Sequence, residues 1–71
     1  MCKLRLRFGK KLRSLRREAN FTQEQLAFAT GISVDFLSLV ERGINAPSFD
    51  TIEKLAEALK VPISDFFVFK E

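Results

Sequence analysis

Apolar residues recur at every third or fourth position along most of this chain, and glycine, proline and capping residues cut the recurrence into short segments. Phe8, Leu12, Leu15 and Ala19 stand at helical spacing with basic residues between them, which predicts a first helix ending near Asn20. Ahead of it, CKLRLRF alternates polar and apolar positions with period two; this fits an extended arm, a short strand or the start of the helix. Thr22 and Gln25 make the T-x-x-Q pair of a capping box, in which each side chain serves an orphan backbone N–H, so a second helix opens here. Phe21 and Leu26 occupy the staple positions around that cap, and Leu26 and Ala27 face inward. Gly31 stops this helix, because glycine takes the left-handed conformation past a helix end at little cost. Ser33 caps a third helix, Ile32 is placed to staple to Leu37, Leu37 and Val40 form the inner face, and Gly43 ends it. A loop over 45–47 leads to Ser48, the cap of a fourth helix with Ile52, Leu55, Ala56 and Leu59 at i, i+3, i+4 and i+7. Pro62 suits the first position of a short fifth helix, in which Ile63 and Phe66 are expected to close the core and Phe67 follows at i+4. The expectation is an all-α domain of five helices with no substantial sheet.

The break at Gly31 carries the functional argument. Two short helices joined by a three- or four-residue turn containing Gly define a helix-turn-helix unit, here spanning about 22–42. The turn fixes a crossing angle that a continuous helix cannot provide, and a side chain larger than Ala27 would hold the two helices apart. In such a unit the first helix crosses the DNA backbone and the second enters the major groove. The chain therefore breaks to aim residues 34–39 outward while Leu37 and Val40 stay inside.

With 71 residues the chain has room for one domain, 1–71, and with one cysteine it has no internal disulfide. No apolar run approaches the roughly 20 residues needed to span a membrane, and no signal peptide is visible, so a cytoplasmic protein is expected. The net charge of +3 conceals a split. Residues 1–20 carry eight basic side chains against Glu18 alone, a balance of +7, while residues 21–71 balance at −4. That split fits a polyanion partner near the N-terminal segment and a solvated basic helix face equally well. The absence of histidine removes an imidazole base or ligand, one cysteine makes no thiolate cluster, and the glycines form no phosphate loop. No enzyme, metal or cofactor is expected, and Cys2 reads as an ordinary thiol.

TQEQLAFATGISVDFLSLVERG, followed by PSFDTIEKLAEALKVPISDFF, resembles the Cro/repressor-type (Xre) helix-turn-helix family over about residues 8–67. T-Q-x-x-L-A, G-I-S, L-S-x-V-E-R-G, P-S and L-A-x-A-L fall in order at the expected spacing. The resemblance implies a lambda-repressor-like DNA-binding fold. It also implies roles. Gln23, with Thr22 beside it, holds a DNA phosphate at the positive end of the second helix and braces the reading helix. Arg16 pairs with Glu41, tying the first helix to the third with a guanidinium edge near phosphate. Val34, Asp35, Ser38 and Leu39 are the base-reading positions, with Phe36 at their edge; Leu39 or Phe36 packing against a neighbour is the alternative. None of these is Arg, Lys, Gln or Asn, the types that bond purines in bidentate fashion. Arg42 and Asn45 are expected to meet phosphate, as are the backbone N–H groups at Ser48 and Phe49. The family often has basic residues at positions 44 and 45, whereas this chain has Ile44 and Asn45; Lys3, Arg5, Arg7 and the first helix are expected to compensate. Phe28 stands where the family is usually polar, and the sequence offers no role for it.

Phe67, Val68 and Phe69 form more apolar surface than a 71-residue monomer readily covers, which marks an interface or a fold-back onto the first helix. Members of the family commonly dimerise through this end, so a homodimer is expected, with two reading helices about 34 Å apart on DNA. Small stand-alone members include phage repressors, restriction–modification controllers and antitoxins. The expected function is a bacterial or phage transcriptional regulator, associated with the nucleoid through double-stranded DNA and binding a two-fold operator, with autoregulation and contact to RNA polymerase open. The alternative is an antitoxin or other protein-binding module that meets a toxin partner with weak DNA reading.

Overall fold

In the computed structural model, which describes residues 3–69, the period-two stretch is helical: α1 runs Lys3–Glu18 without a break. Cys2 lies outside the described residues. The helix ends at Glu18, and the chain reverses through Asn20, whose φ is +64°, so Ala19 is exposed and is not part of the inner stripe expected for it. Then follow α2 (Gln23–Thr30), α3 (Val34–Glu41) and α4 (Phe49–Leu59). The expected fifth helix is a 3₁₀ turn, Ile63–Phe67, so the described residues form four α-helices and one such turn. Pro62 stands just before it with extended backbone, φ −67° and ψ 149°, and not in its first position. Five residues after a proline close one tight turn, here with Asp65 N–H on the Pro62 carbonyl at 3.0 Å, and have no length to propagate an α-helix. No strand occurs among the described residues.

Phe8, Leu12 and Leu15 of α1 meet Leu26, Leu37, Val40, Leu55 and Phe66 in one core. α1 packs on α3 and on the 3₁₀ turn, and α2 packs on α3 and α4. Phe66 is fully buried, its ring centroid 5.2 Å from that of Phe8. Ile63, expected in the core, is 45% exposed; it sits at the rim, over a shallow groove lined with Phe49, Ile52, Glu53 and Phe67. Phe21 and Ile32, the staple residues, pack partly buried against the core. α1 reaches α3 closely because residue 9 is glycine: a Cβ there would lie 2.5 Å from the carbonyl oxygens of both Val40 and Glu41.

Candidate nucleic-acid interface

The two helices of the turn are defined by local hydrogen bonds. Gln25 N–H donates to Thr22 Oγ1 at 3.0 Å, and Thr22 N–H donates to Gln25 Oε1 at 2.9 Å, so both halves of the capping box are present. Gly31 takes φ +76° and its N–H donates to the Ala27 carbonyl at 2.9 Å, which ends α2. Two residues later Phe36 N–H donates to Ser33 Oγ at 3.0 Å and α3 begins. Leu37 and Val40 form its buried apolar stripe, and the remaining positions divide by exposure. Val34 and Asp35 are exposed, Ser38 and Leu39 are half-buried, and Phe36 packs partly against the core.

The C-terminal end of α3 is held by charge. Glu41 is 4% exposed. Arg16 Nε donates to Glu41 Oε2 at 2.6 Å and Arg16 Nη2 to Oε1 at 3.2 Å. Gln23 Nε2, from the first turn of α2, donates to the same Oε1 at 3.0 Å. Arg16 Nη1 also donates to the Phe21 carbonyl at 2.9 Å. One carboxylate thus joins the start of α2, the end of α3 and the last turn of α1. Burial pushes the Glu41 carboxyl up, but the hydrogen bonds from Arg16 and Gln23 and the charges of Arg16 and Arg13 outweigh it and hold it below its ordinary value of 4.5. Arg13, whose Nε lies 3.6 Å from Glu41 Oε1, was not anticipated. Its signal was present: it precedes Arg16 by three residues and so shares that helix face.

The remaining candidate residues lie around this frame. Thr22 is exposed at the start of α2. Arg42 is the exposed C-cap of α3, and Asn45 is half-buried in the following turn. Ser48 Oγ accepts from Thr51 N–H at 3.1 Å and caps α4, with the Phe49 ring beside it 87% exposed. At the far end of the chain, the fold-back alternative for the aromatic tail is seen in part. Phe67 packs on Phe8 with centroids 5.6 Å apart, and the Arg7 guanidinium lies 5.8 Å over the Phe69 ring, so the tail does return to α1. Phe67 and Val68 still leave an apolar face in solvent. Phe28 projects from α2 at 90% exposure.

Residues 12–66 match the helix-turn-helix family HTH_3. The control protein C.BamHI of Bacillus amyloliquefaciens is 40% identical over 67 residues, which cover 93% of this chain and 83% of that protein. The HTH-type transcriptional repressor RghR of Bacillus subtilis (strain 168) is 48% identical over 58 residues, covering 78% of this chain but only 42% of the longer RghR. Among solved structures, the restriction-modification controller protein C.AhdI from Aeromonas hydrophila matches with a TM-score of 0.86 at 38% identity, over 89% of this chain and 96% of that one. No helix among the described residues is long and apolar enough to cross a membrane. With its capped, glycine-broken helix pair and these relatives, the chain belongs to the helix-turn-helix family of DNA-binding transcriptional regulators.

Proposed function

We propose that the chain is a non-catalytic regulator that binds an operator of two related halves as a homodimer, seating α3 of each copy in the major groove. One observation carries this reading: α3 is fixed by its inner face and by Glu41, while Val34, Asp35 and Ser38 keep surface outside the core. Asp35 accepts from cytosine N4, Ser38 bonds a base edge, and Val34 and Leu39 meet thymine methyl groups. Each polar contact discriminates by about 1–3 kcal/mol. With so few polar readers, sequence-dependent groove shape supplies part of the selectivity. Thr22, Gln23, Arg42, Asn45 and the first backbone N–H groups of α4, after Ser48 and at Phe49, meet phosphates on either side of the groove. Arg16, 7% exposed and engaged by Glu41 and the Phe21 carbonyl, braces α3 from behind in place of the phosphate contact expected for it. The half-exposed Phe67 and Val68, with Phe69 behind them, form the dimer contact. The likeness to C.BamHI and C.AhdI supports control of a restriction–modification operon, with the regulator's own gene among the targets.

The test is selection of bound duplexes from a random 30-base-pair pool, followed by titration at several salt concentrations. A selected site with two related halves, bound at least about a thousandfold more tightly than random duplex, is the expected result. Equal affinity for selected and random duplex would remove operator recognition and leave the protein-binding alternative. A selected site with no internal symmetry would remove the dimer.

A further inference from the structure

A major groove about 12 Å wide is nearly filled by one α-helix, so whatever flanks α3 stands against the bordering phosphates. The turn after α3 is such a flank, yet Arg42 is its one cation, and Ile44 and Asn45 carry no charge. The fold brings another cation there from the first turns of α1. Arg5 Nη1 donates to the Ile44 carbonyl at 3.3 Å, across 39 residues of sequence.

This docking is built into the backbone on both sides. Gly43 has φ +78°, and a Cβ on it would fall 2.9 Å from Leu6 Cα. Gly9 admits the carbonyls of Val40 and Glu41 in the same way, one helical turn further along α1. Leu6 and Gly9 therefore lay α1 along the exit of α3, and Arg5 follows from that placement. The guanidinium is not a loose surface group, since its Nε is buried without a hydrogen-bond partner among the described residues. Its charge also stands apart from that of two other arginines further along α1. Arg13 and Arg16 share Glu41, whereas no carboxylate among the described residues pairs with Arg5. A guanidinium has five N–H donors, and the carbonyl of Ile44 engages one. A held, uncompensated cation with spare Nη donors beside the exit of a reading helix is suited to a phosphate.

We propose that Arg5, docked on the Ile44 carbonyl, is a second phosphate-binding cation, beside Arg42, at the turn between α3 and α4. This inference rests on the DNA-binding reading above. The experiment is fluorescence anisotropy with the full chain, using the duplex selected from the random pool and a random 30-base-pair duplex, across a range of salt. For Arg5→Gln, which keeps a donor for the carbonyl, the slope of log K against log salt should shrink by about 0.9, the value for one phosphate contact. Affinity should fall by the same factor on both duplexes, because a phosphate contact carries no base information. Arg5→Lys should retain the slope, and Ile44→Lys placed on the Arg5→Gln background should restore it. An unchanged slope in a folded Arg5→Gln protein, or a loss confined to the selected duplex, would overturn the proposal and make Arg5 a clasp for the turn only. Wild-type protein that binds neither duplex would sink the operator reading and this inference together, and is told apart by needing no variant.

Discussion

Gly31 and Gly43 bracket α3 with nearly the same backbone, φ +76° and +78°, but in different surroundings. A side chain added at Gly31 would meet no atom within 4 Å, whereas one at Gly43 would run into Leu6 of α1. The entrance to the reading helix is therefore set by conformation and by the Ser33 cap, both local. The exit is set by contact, through Leu6, Gly9, Arg16 and Gln23, all remote in sequence. A helix aimed at a groove needs both: the first fixes where it starts, the second fixes its tilt against the rest of the protein.

The contrast is tested most severely at the exit. Glu41→Ala should lower stability by about 3–5 kcal/mol, because it strands the Arg16 guanidinium in a nearly closed site. Arg16→Met added to it should recover part of that loss. Urea titrations of the two single variants and the double give the coupling, and additive losses would mean the pair contributes nothing as a pair. Next come the glycines. Gly31→Ala should cost about 1 kcal/mol, the left-handed strain partly offset by a less flexible unfolded chain, and Gly31→Asn less. Gly43→Ala should add about 1–3 kcal/mol of overpacking to the same strain, and Gly43→Asn should bring little relief. If thermal melts rank the two sites equally, the exit is no more contact-determined than the entrance. The smallest effect near neutrality is that of pH. Since the folded Glu41 carboxyl titrates below its ordinary 4.5, its contribution is complete above that value and is lost as pH falls below it. Stability measured from pH 6 downward should decline on that limb, and Glu41→Gln should flatten the decline.

How much was legible in the sequence follows the same division. The boundaries of α2 and α3 were readable because Thr22, Gln25, Gly31 and Ser33 act within four residues of themselves. The placement of Arg16 on Glu41 came with the family resemblance, but Arg13 and the Phe21 carbonyl, which complete the arrangement, did not. Residues 3–8 were ambiguous because K-L-R-L-R-F satisfies a period of two as readily as a helical start, and the deciding contacts, Leu6 on Gly43 and Phe8 on Phe66, lie far along the chain. The last turn misled for another reason. An α-helical spacing of Ile63, Phe66 and Phe67 presumes 3.6 residues per turn; a 3₁₀ segment turns in three, which takes Phe67 off the face of Phe66, while Ile63, one turn before Phe66 on the same face, stops at the rim. Arg5 could not be placed on any particular carbonyl from sequence, since nothing near Ile44 announces which segment will cover it.

The stacking of Phe8 on Phe66 has a consequence for synthesis. On a growing chain α1 meets the α3 side of its wall first and lacks the other side until the aromatic turn around Phe66 has cleared the exit tunnel. The reading helix, whose tilt is set through α1, therefore rests on an incomplete core until Phe66 has emerged.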